Sequence, residues 1–199
     1  ILYIVAALAT MLLLGRGAHI VQRLGTWKPL MVATILLGGV SLFLGFAANA
    51  LAAAVYFILH GTLAYLLFYI LDLYVESISR DESRTGNPRS VYITAANVGF
   101  LMSPLVISIL VIGNNFTPSY FFAALVLIPM LVIGFTSLRR FSPALPTKTS
   151  IRNAFKDVSC CRPNVRNVMG IAFLMQLFNT LIAVYAPLYL FEVAGLSWQ

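Results

Sequence analysis

Charge is what this sequence has least of. Only 10% of its 199 residues are Asp, Glu, Lys or Arg, whereas 60% are hydrophobic. Soluble domains carry about 25% charged residues. A chain with so few cannot cover a folded surface against water, and its mean hydropathy of +0.92 makes lipid its natural solvent. Thiols are scarce as well. The two cysteines, Cys160 and Cys161, are adjacent, which excludes a disulfide framework. Two histidines, His19 and His60, argue against a metal centre. The sequence contains no Gly-x-x-x-x-Gly-Lys-Ser/Thr phosphate loop, no His-Glu-x-x-His and no Gly-x-Ser-x-Gly. The chain is therefore read as neither an ATP-driven motor nor an enzyme, with no cofactor and no metal site. No basic leader with a small-residue cleavage site opens it, so no signal peptide is read; Ile1 and Gln199 both read as cut ends of a longer protein.

Apolar sequence is abundant, and it comes in runs of bilayer length. A helical span needs about 20 apolar residues. Five complete runs meet this: Pro29–Ala48, Leu51–Leu71, Val91–Gly113, Tyr120–Leu138 and Val168–Phe191. A sixth runs from Ile1 to about Val21. Each must be helical, because backbone amides in hydrocarbon need partners within their own segment. The expected fold is all-α, a polytopic transmembrane bundle with six spans. Pro104, Pro129 and Pro187 fall inside runs and predict kinks rather than ends.

The connections alternate in charge. Arg16, Arg23 and Lys28 lie at the first, Arg80, Arg84 and Arg89 at the third, and the remaining seven of the 13 Lys and Arg at the fifth. The other connections have none. Basic loops stay on the cytoplasmic side of a membrane. The connections at 22–28, 72–90 and 139–167 are therefore expected in the cytoplasm, and the net charge of +7 reflects this topology rather than a nucleic-acid partner. The expected location is the plasma membrane, or the inner membrane in a bacterium. Within the fifth connection, Ile151, Phe155 and Val158 recur at helical spacing behind Thr149 and Ser150, which can cap a helix. This predicts a short amphipathic helix at the membrane surface. A disordered linker is the alternative.

The order of these pieces resembles the major facilitator superfamily, and three local stretches carry the resemblance. The first basic connection reads Ala18-His19-Ile20-Val21-Gln22-Arg23-Leu24-Gly25-Thr26-Trp27-Lys28. Arg23, Gly25 and Lys28 fit the family's Gly-x-x-x-Asp-Arg-x-Gly-Arg-Arg, while Gln22 replaces its acid. Gly99-Phe100-Leu101-Met102-Ser103-Pro104 is similar to the family's Gly-x-x-x-Gly-Pro element. Tyr185-Ala186-Pro187-Leu188-Tyr189-Leu190, followed by Gly195-Leu196-Ser197, resembles the outer end of the seventh helix. The resemblance implies a twelve-helix transporter of two halves, of which this chain covers helices two to seven. Residues 1–141 would supply five spans of the N-terminal half, 142–167 the cytoplasmic loop between halves, and 168–199 the first helix of the C-terminal half.

Polar residues within the runs mark the candidate site. At about 100° per residue, Thr62, Tyr65, Tyr69, Asp72 and Glu76 fall within roughly 80° of arc on one helix. Polar groups in a span face the bundle interior or a watery cavity. Asp72 and Glu76 are one turn apart and repel. Arg89 is their expected partner, with Arg23 and Lys28 as further members of a cytoplasmic charge network. A salt-bridge latch of Asp72 and Glu76 with these cations, touching no substrate, is favoured over a substrate contact. His60 lies on the opposite face, where a neutral histidine bonded to a neighbouring helix is favoured over a proton carrier. On the next helix, Ala95, Gly99 and Ser103 form a small-residue strip for close packing, with Asn97 on the polar side opposite. Gln176, Asn179 and Thr180 share roughly 100° of arc on the last helix. The candidate cavity is lined by Tyr65, Tyr69, Asn97, Gln176, Asn179 and Thr180. Asn115-Phe116-Thr117 matches an N-glycosylation acceptor but is followed by Pro118 in a short loop.

The expected function is secondary transport of a small organic solute by alternating access, driven by an ion gradient, with protons as the candidate coupling ion. The expected partners are the bilayer and the solute. A heptahelical receptor and an intramembrane enzyme are the alternatives: the receptor would end after one more helix, and the enzyme would need a catalytic cluster at membrane depth.

Overall fold

A computed structural model describes residues 2–78, 86–111, 115–140 and 163–192. Its regular elements are helices: α1 (Leu2–Leu24), α2 (Trp27–Gly45), α3 (Ala50–Ile78), α4 (Gly86–Leu110), α5 (Thr117–Thr136) and α6 (Pro163–Glu192), with a 3₁₀ turn over Leu138–Arg140. Helices α1 to α5 are each long and apolar enough to cross a membrane. In α6 the apolar stretch of described residues covers Asn167–Ile182. The chain is an all-α integral membrane protein. It forms two compact units, Ile1–Lys148 and Thr149–Gln199. The expected amphipathic helix at 149–158 lies outside the described residues.

Local chemistry sets the helix ends. Gly25 has φ +76°, a left-handed backbone that glycine adopts without steric cost, and it lets the chain reverse between α1 and α2 in two residues. Asn49 accepts the Ala52 N–H at 2.8 Å and so starts α3. Asn115 accepts the Thr117 N–H at 3.1 Å ahead of Pro118, which suits the first turn of α5. Both polar residues of the glycosylation-like triplet are thus used structurally. Helices α4 and α5 continue through Pro104 and Pro129.

Side-chain contacts fix the direction of each neighbour in the first unit. Tyr3 meets Phe57 edge-on at 5.2 Å, Thr10 Oγ1 lies 3.5 Å from Thr62 Oγ1, and Gly17 lies under the Tyr69 ring. Positions therefore advance together, and α1 and α3 are parallel. Across α2 and α5 they run in opposition: Gly45 faces Tyr120, Gly38 faces Leu127, and Gly134 faces Met31. Phe43 stacks on Tyr56 at 5.8 Å, as the short α2–α3 hairpin requires. Helix α4 touches α3 and α5 only lightly.

The core sits where α1, α2 and α3 meet. Val21, Leu30, Ala33, Leu37, Leu66, Leu67, Ile70 and Tyr74 are buried there. Four buried hydroxyls bond to their own helices: Thr10, Thr34, Ser41 and Thr62 each donate to the carbonyl four residues back at 2.8 Å. Many leucine, isoleucine and phenylalanine side chains elsewhere point outward, which suits a lipid surround.

The α2–α5 seam is clamped at both ends. Trp27 Nε1 donates to the Gly134 carbonyl at 2.8 Å, and Thr117 Oγ1 donates to the Gly45 carbonyl at 3.0 Å. Each bond is a side chain of one helix reaching a glycine carbonyl of the other. Glycine permits this because no Cβ holds the helices apart. A Cβ on Gly45 would stand 3.2 Å from Tyr120 Cβ, and one on Gly134 would stand 2.6 Å from Met31 Sδ.

Candidate functional site

The polar stripe of α3 straddles a helix seam. Its inner edge is packed against α1. Thr62 is buried beside Thr10, and the half-buried Tyr69 ring would lie 3.2 Å from a Cβ placed on Gly17. Its outer edge is open. Tyr65 is 54% exposed, and Asp72 and Glu76 are exposed as well. The split follows from helix geometry, since Tyr65 and Asp72 are rotated roughly 60–80° from Thr62 around the α3 axis. One helix thus presents a sealed polar seam and, next to it, an accessible line of a phenol and a carboxylate.

The charged end of the unit is built from several helices. Because α1 and α3 are parallel and α2 is reversed, Arg23, Lys28, Asp72 and Glu76 all lie at one end, and the start of α4 brings Arg89 there too. All five ionic residues are exposed. Among the described residues, no Lys or Arg nitrogen lies within 4.0 Å of a carboxylate oxygen. His60 is half-buried on α3.

On α4, Asn97 is exposed, and so are Ala95, Gly99 and Ser103 of the small-residue strip. A Cβ on Gly99 would meet nothing within 4 Å, so the strip has no helix against it among the described residues. In the second unit, Gln176, Asn179 and Thr180 are all exposed on one side of α6. The Thr180 hydroxyl donates to the Gln176 carbonyl at 2.8 Å, which leaves the two amide side chains as that helix's stronger polar groups. Among the described residues, no three His, Cys, Asp or Glu side chains come together as a metal site would require.

The basic end holds a feature that residue patterns did not single out. The Trp27 ring meets Phe135 edge-on at 5.6 Å, and the Arg139 guanidinium lies over the same ring at 5.6 Å from its centroid. Trp27 therefore joins α2, α5 and the turn that follows. The only signal in the sequence was a tryptophan beside a lysine at the start of a span, a common place for an interfacial anchor. Its partners, more than 100 residues away, leave no trace in local spacing.

No protein family, curated protein or solved structure matches the chain.

Proposed function

We propose that the chain is part of a secondary transporter of the major facilitator type, which moves a small organic solute by alternating access. The observation that carries this reading is the open edge of α3. A carboxylate and a half-exposed tyrosine stand on a helix that spans the membrane, beside a seam already filled by α1. A charged carboxylate costs about 3 kcal/mol at the centre of a bilayer, and less towards its surface. Such an edge belongs against water or another protein surface, and the watery passage between two helical halves provides both. Residues 1–141 belong to one half in this reading, 142–167 connect, and α6 opens the second half, with Gln176, Asn179 and Thr180 as its candidate solute-binding groups. Phenol faces and amide groups suit a neutral or amphipathic organic solute better than a bare metal ion.

The charge network has a place in this mechanism. Arg23, Lys28, Asp72, Glu76 and Arg89 share one end of the unit, and among the described residues no close pair locks them. They are free to make contacts that form when the passage closes at that end and break when it opens. Uptake by the intact protein in proteoliposomes tests the reading. Across a panel of neutral and amphipathic solutes, at least one should accumulate under a proton gradient and fail to accumulate when the gradient is collapsed. No accumulation of any of them would contradict it.

Orientation in the plasma membrane follows the same logic, with the basic end in the cytoplasm. In a background lacking Cys160 and Cys161, a cysteine at Ala48 should react with an impermeant thiol reagent on intact cells. A cysteine at Ser90 should react only after permeabilisation. Both positions are exposed, and they lie at opposite ends of α3 and its connections. The reverse pattern would overturn the orientation.

A further inference from the structure

A groove of about 330 Å³ runs along the α2–α5 seam, with Ile35, Gly38 and Gly39 on one bank and Phe121, Leu125 and Ile128 on the other. It is shallow on the α2 side because two successive glycines remove side chains there. A Cβ on Gly39 would meet nothing within 4 Å. Lys28, Ile35 and Gly39 are spaced i, i+7 and i+11, so they fall within roughly 40° on one face of α2. The lysine thus stands at the head of the groove. Gly39 lies about 16 Å further along the helix axis, at 1.5 Å per residue. That length is close to the hydrocarbon depth of one leaflet, about 15 Å.

A second cation reaches the same place. Arg139 is held over Trp27, the residue next to Lys28. A cation–π contact of this kind engages only part of the guanidinium, which carries five N–H donors, and leaves others to donate. Both cations are exposed, and neither has a carboxylate within 4.0 Å among the described residues. The seam therefore combines two exposed cationic donors at the depth of headgroups with an acyl-sized apolar channel below them.

We infer that this seam is a binding site for an anionic phospholipid of the leaflet on the basic side. Lys28 and Arg139 hold the phosphate, Trp27 sits at the glycerol level, and one acyl chain lies in the groove over Gly38 and Gly39. The inference needs only the membrane-spanning fold and the α2–α5 seam, and it stands apart from the transport reading.

Native mass spectrometry of the purified protein tests it, with dioleoyl phosphatidylglycerol and dioleoyl phosphatidylcholine added in equal amounts. The unaltered protein should retain phosphatidylglycerol in preference. Lys28→Gln with Arg139→Gln should reduce that preference by roughly tenfold, because each cation near a lipid surface contributes appreciably to anion binding. Gly39→Leu fills the groove while keeping both cations, and it should reduce retention of phosphatidylglycerol by a similar factor. Both sets of changes are at exposed or open positions, so gel filtration should show folded protein in each case. A preference that survives either change overturns the proposal. Displacement of the lipid by millimolar inorganic phosphate would reassign the cations to a small anion and overturn it too. A dimer that Gly39→Leu dissolves, with no lipid retained, would give the groove to a second copy of the chain, again against the proposal.

Discussion

Gly134→Leu is expected to destabilise the protein by about 3 kcal/mol, the upper range for overpacking a filled site. A Cβ at this position would stand 2.6 Å from Met31 Sδ and 3.4 Å from Met31 Cε. Met31 is itself 4% exposed, so its sulfur has little room to withdraw. The Gly134 carbonyl also accepts the Trp27 indole N–H at 2.8 Å. Leucine must therefore either expel Met31 from the seam or push α5 away from α2 and break that bond. Leucine's better helix propensity offsets only about 1 kcal/mol. In a thermal melt in detergent the midpoint should fall by roughly 10 °C. Two companions sharpen the result. Gly39→Leu, which meets open space, should leave the midpoint unchanged or raise it slightly. Met31→Ala combined with Gly134→Leu should recover part of the loss, because the added volume enters the space the methionine leaves. Equal midpoints for the two glycine variants would show that the seam is not packed as described.

The helices were legible in the sequence because the bilayer imposes a strict condition on them. Runs of about 20 apolar residues have few other fates, and α1 to α5 match the runs from Ile1, Pro29, Leu51, Val91 and Tyr120 to within a few residues. Two helices extend well past their apolar runs at the charged end: α3 continues through Asp72 and Glu76 to Ile78, and α4 starts at Gly86. Hydropathy drops at the first charge, whereas helical hydrogen bonding continues into the water interface. The polar face of α3 was also legible, because spacing alone puts Thr62, Tyr65, Tyr69, Asp72 and Glu76 on one side. Its division was not. Thr62 and Tyr69 are drawn into the α1 seam by Thr10 and Gly17, about 50 residues earlier, and no local pattern records which helix will be the neighbour. Trp27, Met31, Gly45, Thr117 and Gly134 escaped for the same reason. Their contacts join positions between 70 and 110 residues apart, and a glycine's role in a seam depends on the side chain it admits. The small-residue strip of α4 shows the converse, since its spacing suits close packing and yet a Cβ on Gly99 would meet nothing within 4 Å among the described residues.

Tyr65 and Gln176 are each expected to be reached by the transported solute, and their modification is expected to abolish transport. Each stands on a predominantly apolar membrane helix, and each is exposed in its own unit. An amide or a phenol left against hydrocarbon loses its hydrogen bonds at a cost of several kcal/mol, so two such faces on two helices call for water or for solute. Thr62 provides the internal contrast: it shares the stripe but is 9% exposed, with its hydroxyl bonded to Ile58. The most direct test places single cysteines at Tyr65, Gln176 and Thr62 of the intact protein, in a background lacking Cys160 and Cys161. A small hydrophilic thiol reagent should modify the first two and leave the third unreacted, and a transported solute should slow both modifications. Failure of both Tyr65 and Gln176 positions to react under any condition, or reaction that solute does not slow at either, would contradict the passage.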